Sequence, residues 1–205
     1  MFDIDQFMVG LASQRAIFHS EADFQHAFAW QFHEVFPEAR VRLEYPFYAG
    51  KWIYIDLWLD TPSQKLAIEL KYKSRTLETL HSDEHFRLKS HSAQDSGRYD
   101  FLKDVARLEK VSMNSSNVSG YAVLLTNDPS YWGTGRIGTV DVNFRLHPGR
   151  EITGDMGWLP NAAPGTIRGR TEPLHLSGSY TVEWKPYSRL DAISGGEFRY
   201  LAFRV

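Results

Sequence analysis

Two adjacent apolar runs constrain this chain more than any other feature. Residues 51–60 carry Ile53, Ile55, Leu57 and Leu59 at every second position, and residues 64–73 carry Leu66, Ile68 and Leu70 in the same way. Alternation with a period of two is the mark of a strand. Thr61-Pro62-Ser63 between the runs has turn chemistry, so they pair as an antiparallel hairpin. Centring the turn on Pro62-Ser63 sets Asp56 directly across from Glu69. Cβ atoms of such opposed residues lie roughly 4.5–5.5 Å apart. Lys71 follows two positions after Glu69 and shares its face. On the opposite face Ile68 and Leu70 pack into the core with the odd-numbered residues of the preceding strand.

The flanking sequence supplies further elements. Ser20 with Asp23 three residues on begins a helix over 20–36, with Phe24, Ala27, Phe28, Phe32 and Val35 at helical spacing and Pro37 as its stop. Residues 41–48 read as a strand and Ala49-Gly50 as a turn. A charged, His-rich stretch over 74–91 contains a short helix around 77–88, and a second strong helix spans 95–111 through Phe101, Leu102, Val105 and Leu108. After a polar loop, the nearly all-apolar run 121–126 has the texture of a strand buried on both faces. The order is helix, three strands, helix, strand. Strand signals return at 178–184 and 198–205 and are assigned to the same sheet, while the Gly- and Pro-rich segment 147–173 reads as an irregular loop. A length of 205 residues suits a single domain, with residues 20–127 as its core and 128–205 as a C-terminal extension.

Two carboxylates facing each other across a ladder repel unless something compensates. With no Cys in the sequence, thiolate metal sites and thiol catalysis are excluded. An all-oxygen site for a hard cation such as Mg²⁺, with Mn²⁺ as a substitute, resolves the repulsion. Such an ion activates water and neutralises charge on a phosphodiester. Lys71 beside it orients the water, acts as a base if its pKa falls, or stabilises the transition state.

Asp56 followed by Glu69-Leu70-Lys71, set in this element order, resembles the PD-(D/E)xK superfamily of restriction-endonuclease-like nucleases. The resemblance covers residues 20–127. It implies an α/β fold with a mixed sheet and an αβββαβ core, to which the strand signals at 178–184 and 198–205 add C-terminal strands. It implies a Mg²⁺-dependent nuclease acting on nucleic acid, DNA ahead of RNA. Asp56 and Glu69 would bind metal together with the Leu70 carbonyl, and Lys71 would serve the nucleophile and transition state. The family often adds an acid from the first helix, and Glu21 is chosen over Glu34, with Gln25 one turn away lining the same site. Ile55 stands where the family motif often has Pro. The rival is a module with this fold that binds nucleic acid or protein without turnover.

The net charge of −2, from 23 basic and 25 acidic residues, leaves no general polycationic attraction, so nucleic acid must be held locally. Lys73, Arg75, Arg87, Lys89, Arg98 and Lys103 follow the motif and form the candidate patch, with Lys73, Arg75, Gln25 and Lys103 as the chosen nucleic-acid contacts. Tyr131-Trp132-Gly133 is either a stacking surface or, more in keeping with such pairs, a core plug. His81-Ser82-Asp83-Glu84-His85 matches a zinc-peptidase spacing, H-x-x-E-H, which requires both histidines on one helix face. No strongly apolar helix flanks it to bury a metal, and a mobile polar loop is the expectation. Neither a targeting signal nor a membrane-spanning run is evident, so a cytoplasmic location is the default. A homodimer is compatible, because nucleases that cut both strands often pair active sites.

Overall fold

The Asp3 side chain accepts hydrogen bonds from the amides of Asp5 and Gln6 and caps a first helix, α1 (Ile4–Gln14), which sequence reading had not anticipated. In this structure, a computed structural model, residues 2–190 and 194–205 are described. Helix α2 (Glu21–Val35) begins at Ser20, whose hydroxyl accepts from the Asp23 amide, and buries Phe24, Phe28 and Phe32 along one stripe. Strands β1 (Arg40–Tyr48), β2 (Trp52–Asp60) and β3 (Lys65–Lys73) form the expected meander. The hairpin β4 (Leu77–His81) and β5 (Glu84–Leu88) follows. Next come α3 (Gln94–Asn114), β6 (Val118–Thr126), a single 3₁₀ turn at Val142–Phe144, β7 (Glu151–Met156) and the one-turn α4 (Pro164–Ile167). β8 (Leu174–Thr181), β9 (Lys185–Arg189) and β10 (Glu197–Arg204) complete the chain.

Six strands form one mixed sheet in the order β1-β2-β3-β6-β10-β9, in which only β3 and β6 run parallel. A parallel pair needs a crossover, and α3 lies within the connection between them. The central strands β3 and β6 are correspondingly buried on both faces. On one side of the sheet, α1 and α2 bury Phe7, Met8, Phe24 and Phe28 with Leu57, Leu59, Ile68 and Leu70. On the other, α3 packs Leu102, Val105 and Leu108 with Ala122, Leu124 and Leu201. The fold is mixed α/β. Among the described residues no helix is long and apolar enough to cross a membrane.

Three expectations are corrected. Residues 77–88 are a hairpin rather than a short helix, because Leu77, Thr79, Phe86 and Leu88 are buried while Glu78, Leu80 and Arg87 are not. Ser82 and Asp83 both take left-handed φ, 50° and 63°, as a two-residue hairpin turn of the primed type requires. The segment 147–173 is not irregular throughout, since it contains β7. The strand signal at 178–184 belongs to β8, which pairs with β7 in a separate two-stranded sheet; only β10 and β9 join the main one. The small sheet buries Ile152, Met156, Leu174 and Leu176 in the α3-side core. Its anchor is Glu109 of α3, whose carboxylate accepts from the Ser177 and Gly178 amides (2.9 and 2.7 Å) and the Tyr180 hydroxyl (2.9 Å).

Tyr131 is a core plug, fully buried, with its hydroxyl lacking a partner among the described residues. It is seated against Gly97, where a Cβ would stand 2.1 Å from the Tyr131 hydroxyl. Gly97→Ala is therefore expected to destabilise by about 1–3 kcal/mol through overpacking. Adding Tyr131→Phe should restore most of that loss. Urea denaturation of both variants measures it, and an unchanged midpoint in Gly97→Ala would contradict the contact.

Candidate active site

The hairpin register agrees with the expected one over four pairs, from Asp60↔Lys65 to Leu57↔Ile68, and there the ladder stops. Asp56 and Glu69 are thus adjacent to the last pair without forming the next one. The Asp56 carboxylate instead accepts the Leu70 amide hydrogen bond at 2.8 Å, taking the place of a strand partner. Pairing of β2 with β1 is interrupted at the same level, between Leu43↔Leu57 and Tyr45↔Ile55, where Glu44 adopts φ 49°. This break alters the expected alternation. Leu57 and Leu59 bury on the α1–α2 side, whereas Ile53 and Ile55 bury in the α3-side core.

Glu21 reaches the end of β3 from the first turn of α2. Its Oε2 accepts from the Tyr72 amide at 2.8 Å and lies 3.4 Å from the Lys73 ammonium. Glu34 is at the far end of that helix, hydrogen-bonded to the Trp30 indole. Gln25 is half-buried one turn after Glu21.

Helix α3 contributes two residues that sequence reasoning missed. Lys71 Nζ lies 2.8 Å from Asp104 Oδ2, and Arg107 Nη1 lies 3.0 Å from Asp104 Oδ1. Arg107 Nη2 comes within 3.1 Å of Glu69 Oε1 and donates to the Tyr54 carbonyl. The approach to Glu69 lacks hydrogen-bond alignment, so Glu69, only 1% exposed, has no hydrogen bond at either oxygen among the described residues. A signal for Asp104 existed. It falls on the stripe Phe101, Val105, Leu108 as a charged interruption of an apolar face, with a basic residue three positions on.

The charges act on one another strongly. Burial pushes the Asp56 carboxyl up, partly offset by Lys71 and the Leu70 amide, with Asp104 and Glu21 adding to the rise. Burial pushes Glu69 well above the usual carboxylate range, reinforced by Asp104 and Asp56, and Arg107 and Lys71 compensate only in part. For Lys71 burial alone would favour the neutral amine, but Asp104, Asp56 and Glu21 outweigh it and hold the ammonium above its ordinary range. The surrounding carboxylates thus favour the ammonium form of Lys71, the direction opposite to the fall in pKa that a base role would need.

Among the described residues no three His, Cys, Asp or Glu side chains are grouped as a ready-made metal centre. The donors available to a hard cation are the Asp56 and Glu69 carboxylates and the Leu70 carbonyl, which lies 3.5 Å from Lys71 Nζ. One or two carboxylates with retained waters is the usual protein share of a Mg²⁺ shell, and both Glu69 oxygens are free of hydrogen bonds among the described residues, although Oε1 lies against the Arg107 guanidinium.

The basic residues divide. Lys73 pairs with Glu21, Arg75 is exposed with its amide held by Asn127 Oδ1 at 2.7 Å, and Lys103 is exposed on α3. Arg87 and Lys89 are exposed at and beyond β5. Arg98 leaves the patch, because it is buried in an ion pair with Asp141. Trp132 is half-buried, with Arg199 stacked 5.0 Å from its ring. His81 and His85 lie on opposite strands of the β4–β5 hairpin, so the helical zinc geometry is absent, and His85 instead meets Glu78 at 3.4 Å. Comparison with family models, with curated proteins and with solved structures returns no match.

The raised Glu69 pKa has a defined sign for stability. Between the ordinary value of 4.5 and its higher folded value, the native state binds more protons than the unfolded chain, so stability falls as pH rises through that window. In chelator, Glu69→Gln is expected to be more stable than wild type at about pH 8, with the advantage shrinking towards acid. Thermal unfolding across that range measures it. Parallel pH profiles for the two proteins would show that Glu69 carries no such penalty.

Proposed function

We propose that this chain is a divalent-cation-dependent nuclease of the PD-(D/E)xK type, hydrolysing phosphodiester bonds of nucleic acid, DNA ahead of RNA. The observation that carries the reading is the meeting of Asp56, Glu69 and Lys71 where β2 and β3 part, with Glu21 delivered to the same strand end. The sequence of elements α2, β1, β2, β3, α3, β6, with β3 parallel to β6, supports the restriction-endonuclease-like core that the resemblance implies.

Asp56, Glu69 and the Leu70 carbonyl would hold Mg²⁺ or Mn²⁺. When bound, such an ion lowers the pKa of a coordinated water and offsets phosphate charge. Lys71, kept protonated by its carboxylate neighbours, faces the phosphate as a cation, strongest where negative charge grows in the transition state. Asp104 aims the Lys71 ammonium from α3. Glu21 holds the strand end through the Tyr72 amide and neutralises Lys73.

One observation favours the second reading, a binding module without turnover. Arg107 lies against Glu69, and a guanidinium there supplies positive charge without any ion. Calorimetric titration with Mg²⁺ separates the two: the nuclease needs binding that disappears in Asp56→Asn, the module needs none.

The activity test is incubation with plasmid and single-stranded DNA in Mg²⁺ or Mn²⁺. Cleavage that stops on chelation is expected. Lys71→Ala should lose about 10²–10³-fold in rate, and Asp56→Asn and Glu69→Gln at least as much. No cleavage of any substrate by wild type, or full activity in Lys71→Ala, would sink the proposal.

A further inference from the structure

Beside the acidic centre lies a cavity of 810 Å³, walled by the β1–β2 turn, the outer face of α3 and the segment leading into β8. Arg107 belongs to both places: it lines the cavity and touches Glu69 and Asp104. The other cations on the lining are Lys51, Lys103 and Lys110, all exposed and none in an ion pair among the described residues. Of the two carboxylates there, Glu109 is already committed to Ser177, Gly178 and Tyr180, which leaves Glu172 as the uncommitted acid. At the rim stands Trp52, 63% exposed, held edge-on by Tyr48 with ring centroids 5.3 Å apart. The buried Ile53, Tyr99 and Leu174 add apolar lining.

An exposed indole beside three uncompensated lysines, next to a site for phosphodiester chemistry, has a specific ligand chemistry. The lysines attract a polyanion. The indole offers a face for a planar aromatic group, and base stacking on such a ring is worth about 1–3 kcal/mol per base. A base within a duplex has both faces covered by its neighbours and is closed to this contact, whereas an unpaired base is open to it. The volume is that of a small-ligand site.

We infer that this cavity seats an unpaired stretch of nucleic acid, one base stacked on Trp52 and its phosphates against Lys51, Lys103 and Lys110, leading the strand past Arg107 to the acidic centre. The substrate class is thereby single-stranded DNA or a single-stranded tail next to a duplex. The inference rests on the nuclease reading for what happens to the strand, but the binding itself does not require turnover.

The test reads binding and cleavage separately. In chelator, fluorescence anisotropy compares a labelled oligo-dT of about 12 nucleotides with a blunt duplex of the same length. Single strand should bind more tightly than duplex, and Trp52→Ala should weaken it by about 10-fold while leaving duplex binding unchanged. The triple variant Lys51→Ala, Lys103→Ala, Lys110→Ala should reduce the slope of log affinity against log salt by about 2. Because these side chains are exposed, circular dichroism of the variants should match wild type. Equal binding of duplex and single strand, or no effect of Trp52→Ala, overturns the cavity assignment even if the protein cleaves DNA. Tight, Trp52-dependent single-strand binding with no cleavage in Mg²⁺ or Mn²⁺ keeps the assignment and removes the nuclease reading.

Discussion

The hydrogen bond from the Leu70 amide to the Asp56 carboxylate is the contact on which the rest of the site depends. Beyond Leu57↔Ile68, β2 leaves β3, and the amide that would otherwise lack a partner is satisfied by a side chain. A buried amide without an acceptor costs about 1–3 kcal/mol, roughly twice what a typical hydrogen bond contributes. Asp56 therefore holds open the strand pair at the place where Glu69 and Lys71 emerge. The tyrosine two residues later uses the same device, its amide held by Glu21. Two alternate strand amides, Leu70 and Tyr72, that would point at an absent neighbour are thus capped by the acids Asp56 and Glu21.

Such a centre is electrostatically expensive. Asp56, Glu69, Asp104 and Glu21 are gathered around Lys71 and Arg107, and burial weakens every solvent contribution that would screen them. The result is asymmetric. Lys71 gains from the carboxylates around it, while Glu69 is left with a raised pKa, the Arg107 ion pair and no hydrogen bond at either oxygen among the described residues. Strained charge of this kind is common where binding a cation or a phosphate is the compensation. The crossover geometry makes it possible, since only the parallel pairing of β3 with β6 brings α3, with Asp104 and Arg107, back over the strand that carries Glu69 and Lys71.

The C-terminal third is built onto α3 rather than simply extending the sheet. Glu109 takes two backbone amides of β8 and the Tyr180 hydroxyl, so the small β7–β8 sheet is clamped to the outside of the helix. The segment just before β8 closes one wall of the lysine-lined cavity, and β10 supplies an antiparallel neighbour for β6. One helix thereby presents its inner face to the acidic centre and its outer face to the cavity.

Local pattern was enough for the elements with strong periodicity. The α2 cap at Ser20, the β2–β3 register as far as Leu57↔Ile68 and the doubly buried β6 were all legible, because capping, alternation and turn centring depend on residues close in sequence. The β4–β5 hairpin was legible in principle, but its His-rich charge obscured a period-two pattern. Pairing of β7 with β8 was not, since they lie about twenty residues apart with Gly and Pro between them and gain stability only by packing on α3. The partners of Lys71 and Glu69 were equally out of reach, because Asp104 and Arg107 are over thirty residues away and are brought in by a crossover. The sequence by itself determined that Asp56 stands on one strand of the hairpin and Glu69 and Lys71 on the other. Tertiary structure alone decided that the ladder ends at Leu57↔Ile68, that carboxylates surround Lys71 and that Glu69 is buried against Arg107 without a hydrogen bond among the described residues, since burial and long-range charge exist only in the folded chain.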